Sequence, residues 1–114
     1  MADRVLQWNV KGLRARQPEL LVLMKELDPS CLCFQRLKLS NNTQISVGNL
    51  YKTYMKLPDT DNNEEMPKGG SLIVVKTSIL HHHIQLNSTL QAVAISFTHG
   101  KLKSLCSIYI PPND

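Results

Sequence analysis

The chain has 114 residues, of which 42% are hydrophobic and 19% charged, which fits one small domain and excludes an acidic or low-complexity disordered segment. Its 13 Lys and Arg against 9 Asp and Glu give a net charge of +4, which suits a polyanionic partner such as nucleic acid without requiring one. The N-terminus is too polar for a signal peptide, and no run approaches the ~20 apolar residues of a membrane span. We expect an intracellular domain over residues 1–114, nuclear or cytoplasmic, with no membrane partner.

The first third of the chain predicts a strand, a helix and a second strand. Residues 5–10 are β-prone and end at Lys11-Gly12. A helix is predicted over 18–27, because proline is tolerated at the first helical position and apolar residues then recur at a spacing of three to four. Asp28-Pro29 ends it. The apolar run 31–34 predicts a buried strand, and this order is typical of a βαβ unit.

The rest of the chain predicts strands joined by turns. Tyr51 and Tyr54 indicate a short edge strand within the polar segment 40–67, whose residues 58–65 are predicted to be an exposed loop. Further strands are predicted at 71–76, 92–97 and 102–110. The expected class is α/β (α+β), with one mixed sheet and one main covering helix. Such a sheet has one bare face, so we expect a partner protein or a missing C-terminal half to cover it.

The cysteines and histidines argue against a structural metal site. Three cysteines, two of them in Cys31-Leu32-Cys33, fit neither a disulfide framework nor a zinc knuckle, so buried free thiols are expected. The run 81–83 consists of three histidines, and only His81 and His83 would share a face of a strand. A solvated turn is the favoured interpretation, and weak transition-metal binding is the alternative.

Polar residues stand at the ends of several predicted strands, where open α/β sheets place their sites. They are Asn9, Gln35-Arg36, Gly69-Gly70 and Tyr109. Each also has a plainer interpretation, since Asn9 is able to cap a turn, the glycines to form one, and Tyr109 to be an ordinary strand aromatic. Their order along the chain is more specific than any one of them.

The run 6–13, LQWNVKGL, resembles the opening motif of the endonuclease/exonuclease/phosphatase superfamily. That family includes deoxyribonuclease I, apurinic-site endonucleases and the endonuclease domains of LINE-type retrotransposons. Four further segments follow in the family's order, at 28–35, 69–74, 90–95 and 107–112. The resemblance covers nearly the whole chain and is closest to jockey-like or RTE-like elements. It implies the N-terminal half of a four-layer α/β-sandwich.

The resemblance implies roles for individual residues. Asn9 matches an asparagine of the catalytic phosphate site, and Tyr109 matches a tyrosine that contacts the phosphate. The family's glutamate that holds Mg²⁺ is replaced by Arg36. Arginine has no lone pair for a metal and stays charged, and exchanging −1 for +1 beside a dication costs on the order of several kcal/mol. We therefore expect this chain not to bind the family's Mg²⁺.

Lys11, Arg14 and Arg16 are predicted to lie in the loop after the first strand, where the family's DNA would pass. Phosphate contact is one interpretation, and a solvated basic loop is the other. The family's Gly-Asp-x-Asn segment, a further aspartate and the C-terminal Asp-His pair have no counterpart in the sequence.

Three functions follow as hypotheses. The first is a truncated, inactive DNA endonuclease domain of a retrotransposon. The second is a non-catalytic relic that binds nucleic acid or protein. The third is a nuclease completed by a separate chain.

Overall fold

The computed structural model describes residues 4–38, 48–57, 69–101 and 103–110. It contains seven strands and one helix within those ranges: β1 (Val5–Asn9), α1 (Leu13–Leu27), β2 (Cys31–Gln35), β3 (Tyr51–Lys56), β4 (Ser71–Lys76), β5 (His81–Ile84), β6 (Gln91–Phe97) and β7 (Ser104–Tyr109). The predicted loop at 58–65, the start of the last predicted strand at Leu102 and the Pro111-Pro112 segment lie outside the described residues. In the described part of the chain, no helix is long and apolar enough to cross a membrane.

The strands form two sheets. The first has the order β1-β2-β4-β3, with β1 and β2 parallel and the other pairs antiparallel. The mixed sheet and the single covering helix are as predicted, and β3 lies at an edge as Tyr51 and Tyr54 indicated. The second sheet is antiparallel, with the order β5-β6-β7.

The second sheet corrects the expectation of a bare sheet face. Strands β2 and β4 are buried along their lengths because alternate residues face different layers. Leu32, Phe34, Leu72 and Val74 belong to the core with α1. The residues between them face the second sheet in another core, made of Cys31, Cys33, Ile73, Val75, Val93 and Ile95. The described residues therefore form three layers: helix, sheet and sheet.

The helix begins at Leu13, five residues before the predicted start at Pro18. No side chain caps it, but the N–H groups of Gly12 and Leu13 donate to the carbonyls of Arg36 and Leu37, both at 2.9 Å. These tertiary hydrogen bonds satisfy the first of the amides that have no partner within the helix. Pro18 lies in the second turn, where it lacks the N–H of an ordinary helical residue.

The helix ends where the sequence predicted. Asp28 is left-handed, with φ of 45°, and its N–H donates to the Met24 carbonyl at 3.1 Å. Its carboxylate pairs with Lys76 Nζ at 2.6 Å. The side chain of Arg4 donates to the Leu27 carbonyl at 2.8 Å. A left-handed C-terminal residue with its amide bonded back is a common way to end a helix.

The thiols and the histidines differ from the expectation. Cys31 and Cys33 are buried, but Cys106 is exposed, because it lies on the outer side of the second sheet, and no disulfide forms among the three. The histidines lie in β5 and pair with β6, from His81 opposite Phe97 to Ile84 opposite Ala94. The predicted solvated turn is therefore wrong, because tertiary strand pairing outweighs the weak β-propensity of the run.

Candidate functional site

Strand ends from both sheets meet at one edge of the structure. Asn9, the last residue of β1, pairs with Gln35, the last of β2, and Gln35 pairs with Ser71, the first of β4. In the second sheet, Gln91 begins β6 opposite Tyr109, which ends β7. We call this region, formed by Asn9, Gln35-Arg36, Gly69-Gly70, Gln91 and Tyr109, the strand-end edge. All four positions that the sequence singled out lie in it.

Gln91 joins the two sheets at the strand-end edge. Its side-chain oxygen accepts a hydrogen bond from the Gly70 N–H at 2.6 Å. Its backbone carbonyl accepts one from the Ser71 hydroxyl, also at 2.6 Å. Gln91 was part of the motif order in the sequence but was not predicted as a site residue. The sequence indicated only that it directly precedes the predicted strand 92–97.

Gly69 provides the space in which the Tyr109 ring lies. A Cβ at Gly69 would stand 2.8 Å from Cδ2 and Cε2 of Tyr109 and closer still to the side-chain oxygen of Gln91. Its φ of +106° is also one that side-chain-bearing residues rarely adopt. Glycine is therefore required here for two reasons, and a simple turn is not the whole explanation of Gly69-Gly70.

Backbone hydrogen bonds hold Arg36 between two loops. Its N–H donates to the Gly70 carbonyl at 3.0 Å, and its carbonyl accepts from the Gly12 N–H at 2.9 Å. The next residue, Leu37, is buried in the core and donates to the Gly69 carbonyl at 2.8 Å. Arg36 adopts a left-handed φ of 62° that the surrounding bonds maintain.

A chain of polar side chains, exposed at Gln7 and buried at Gln35 and Ser107, lies behind the strand-end edge. The Gln7 amide donates to Gln35 Oε1 at 2.6 Å, and Gln35 Nε2 donates to the Ser107 hydroxyl at 2.8 Å. Ser107 in turn donates to the Phe34 carbonyl at 3.1 Å. The chain links β1, β2 and β7, which are the strands that end at Asn9, Gln35 and Tyr109. No signal in the sequence indicated Gln7 or Ser107 as site residues. Their partner is Gln35, which lies 28 positions from Gln7 and 72 positions from Ser107, and local patterns do not predict contacts over such distances.

The charge near the strand-end edge is positive. Arg36 is half-buried, and Lys11 and Lys38 are exposed in the adjoining loops. Arg14 and Arg16 lie on α1 and not in a loop as predicted, because the helix begins early. Arg16 pairs with Glu19 at 3.1 Å on the exposed helix surface, an arrangement of small energetic weight.

The residues present do not fit a magnesium ion. Mg²⁺ prefers octahedral oxygen ligands, with carboxylates supplying the charge. None of the residues that form the strand-end edge is Asp or Glu, and Gln35 Oε1 already accepts from Gln7. Within the described ranges, no group of three or more His, Cys, Asp or Glu is arranged to hold a metal. Arg36 adds a cation where the resemblance expects a metal ligand.

His81 and His83 pack against Tyr54, which joins β3 of the first sheet to β5 of the second. The Tyr54 hydroxyl lies 2.9 Å from His81 Nε2, and His81 Nδ1 lies 2.7 Å from the Ile79 carbonyl. Because a carbonyl only accepts, Nδ1 carries a proton and donates to it. His83 stacks on Tyr54, with ring centroids 5.1 Å apart and planes 2° apart. The contact is a structural one between β3 and β5.

No protein-family model matches this chain, and no curated protein is significantly similar to it in sequence. Solved structures do match it. The 3′ phosphatase NExo from Neisseria, bound to a product DNA hairpin, has a TM-score of 0.68 at 17% identity, over 95% of this chain and 41% of that one. The chain shares its fold.

Two further structures agree with this result. The 3′-5′ exonuclease NExo from Neisseria meningitidis matches with a TM-score of 0.57 at 18% identity, over 82% of this chain and 37% of that one. The catalytic domain of human Nocturnin, with a bound sulfate anion, matches with a TM-score of 0.57 at 14% identity, over 91% of this chain and 47% of that one. This chain spans less than half the length of each. The predicted endonuclease/exonuclease/phosphatase fold is confirmed, while the assignment to LINE-type elements stays a prediction.

Proposed function

We propose that this chain belongs to a phosphodiesterase-type domain that binds DNA at the strand-end edge and does not hydrolyse it with Mg²⁺. The support for a phosphodiesterase-type domain is the fold, which is that of exonuclease and phosphatase structures, one of them holding a product DNA hairpin. The observation that carries the absence of hydrolysis is Arg36, a permanent cation at the position where the resemblance places the metal-binding glutamate.

Charge and position favour DNA as the ligand. Lys11, Arg36 and Lys38 lie in loops that are hydrogen-bonded to one another or to Gly69-Gly70. Cations grouped in this way attract the phosphates of nucleic acid, and each contact releases counterions from it. The second sheet adds the phenol of Tyr109, which stands beside Gly69.

A plasmid-nicking assay tests the absence of hydrolysis. Supercoiled plasmid is incubated with the protein in Mg²⁺ and, separately, in EDTA. We expect no conversion to the nicked form in either, because the strand-end edge has no carboxylate to hold the Mg²⁺ that would activate the attacking water. Nicking in Mg²⁺ that disappears both in EDTA and in Asn9→Ala would refute the proposal.

DNA binding is tested separately, by fluorescence anisotropy of a labelled duplex. We expect affinity to fall steeply as salt rises, with a negative slope of log affinity against log salt. Affinity that does not change with salt, or no binding at low salt, refutes the DNA-binding half of the proposal and leaves the fold untouched.

The retrotransposon origin is a further part of the proposal and rests on the order of the five matched segments. The nucleotide sequence that follows the codon for Asp114 tests it. A reading frame that continues into Gly-Asp-x-Asn and a reverse transcriptase supports this origin, and a different gene in that place contradicts it.

A further inference from the structure

We propose that the Arg36 guanidinium binds a DNA phosphate directly and takes over the charge-neutralising role of a divalent metal, so that the strand-end edge is a metal-independent phosphate site. The inference deepens the proposed function and rests on it for the choice of DNA as ligand. It commits to a phosphate mono- or diester as the chemical class that Arg36 recognises.

The side chain of Arg36 is available for a ligand although its backbone is fixed. The backbone N–H and carbonyl are both used, by Gly70 and Gly12. The guanidinium makes no hydrogen bond and no ion pair with any residue in the described ranges. A half-buried arginine has lost part of its hydration, and it normally recovers that energy from a carboxylate or another acceptor. Here no such acceptor is among its described neighbours.

Two lysines reinforce the same charge. Lys11 and Lys38 both have left-handed backbones, with φ of 52° and 53°. The Lys38 side chain runs beside Gly12, since a Cβ added to Gly12 would lie 3.8 Å from its Cδ. Like charges held in neighbouring loops repel one another, and a bound anion removes that repulsion. The folded backbone therefore maintains a cationic group whose complement is an anion.

Neutral donors lie at the same edge. The Asn9 side chain is exposed at the end of β1, and the Tyr109 hydroxyl makes no hydrogen bond to a described residue. Arginine presents two parallel N–H groups that match two phosphate oxygens, and the amide and phenol supply further donors. Phosphate contacts carry no sequence information, so the site should bind DNA without sequence preference.

The test uses the same labelled duplex at about 0.1 M salt with EDTA, with the wild type and three variants. Arg36→Gln removes the charge and keeps the length, and Arg36→Glu reverses the charge. Lys103→Glu is the matched control: it is exposed and precedes β7 at the end opposite Tyr109. The six residues of β7 span about 20 Å, which exceeds the Debye length of about 10 Å at 0.1 M salt. Circular dichroism establishes that each variant is folded.

We expect Arg36→Gln to weaken DNA binding by about tenfold, the value of one charge-assisted hydrogen-bonded contact. Its slope of log affinity against log salt should fall by about one, since one phosphate contact is lost. Lys103→Glu should change affinity far less. If Arg36→Gln and Lys103→Glu bind DNA as the wild type does, the inference is wrong and the DNA-binding proposal stands.

Added Mg²⁺ distinguishes direct phosphate binding by Arg36 from metal binding by a glutamate at the same position. In EDTA, Arg36→Glu should bind DNA more weakly than Arg36→Gln, and added Mg²⁺ should restore part of its affinity because the carboxylate is a metal ligand. The wild type should gain nothing from Mg²⁺. A wild-type affinity that requires Mg²⁺ would overturn the inference.

Inorganic phosphate tests the site without DNA. Phosphate should raise the melting temperature of the wild type and not of Arg36→Gln, as expected of a ligand that binds only the folded state. If the wild type does not bind DNA but shows this stabilisation, the DNA proposal fails while the phosphate site is supported. Equal stabilisation of both proteins, or of neither, contradicts the site.

Discussion

Replacement of Gly69 by alanine tests the packing that holds Tyr109 at the strand-end edge. Two costs are expected. The backbone φ of +106° is strained for a residue with a side chain, at about 1–3 kcal/mol. The new Cβ would also lie 2.8 Å from the Tyr109 ring, so the ring or the strand must move, which costs about a further 1–3 kcal/mol. The reduced entropy of the unfolded chain returns about 0.4–1 kcal/mol.

Gly48 provides the matched control. It has a φ of +87°, and nothing lies within 4 Å of an added Cβ. Gly48→Ala therefore incurs the backbone cost without the steric one. We expect Gly69→Ala to lose about 1–3 kcal/mol more free energy of unfolding than Gly48→Ala. At about 4 °C per kcal/mol for a domain of this size, its melting temperature should be about 4–12 °C lower than that of the control.

The assay is urea and thermal unfolding, followed by far-UV circular dichroism and by the fluorescence of Trp8. Trp8 is the only tryptophan of the chain and packs against Phe34, with ring centroids 6.4 Å apart. Equal losses for Gly69→Ala and Gly48→Ala would refute the close approach of Tyr109 to Gly69, and they would remove the structural reason for placing that phenol at the site.

Three other predictions concern buried groups. Burial, with the neighbouring thiols, raises the pKa of Cys33 from 9.0 to about 12, so between these values the unfolded state loses a proton that the folded state keeps. The free energy of unfolding should therefore fall as pH rises from 9 to 12. Urea titrations at several pH values should show a shallower fall for Cys33→Ala than for the wild type, and an equal fall in both proteins would contradict the prediction. Ser107→Ala should cost about 1–3 kcal/mol of unfolding free energy, because it removes the hydroxyl that accepts from the buried Gln35 amide. A smaller loss would show that the Gln35 amide donates to a different acceptor in the variant. Tyr54→Phe should cost about 0.5–1.5 kcal/mol by removing the hydrogen bond to His81 while keeping the ring, and an unchanged melting temperature would refute that bond.

The sequence by itself determined the parts of the fold that depend on local patterns. Strand β4 was predicted with the bounds observed, since an uninterrupted apolar run after two glycines has few alternatives. The end of α1 at Asp28-Pro29 was also correct, because proline restricts the residue before it. The placement of Asn9, Arg36 and Tyr109 at strand ends followed from the same local signals, and so did the charge of Arg36.

Only the tertiary structure decided features that join distant parts of the chain. The start of α1 depends on carbonyls of Arg36 and Leu37, which lie more than twenty residues further along. The division of the strands into two sheets, and the β5 strand in place of a turn, depend on pairing with β6. Such contacts leave no periodicity in the sequence, because each residue's partner lies far from it in the chain.

The same distinction applies to the candidate site. The sequence established that Arg36 carries a positive charge where the resemblance expects a glutamate. The structure added that its backbone is held by Gly12 and Gly70, that its guanidinium has no partner among the described residues, and that Lys38 lies beside the same loop. A side chain's charge is a property of its residue type, whereas its neighbours are brought to it by the folded backbone, and the neighbours are what make an anion its expected ligand.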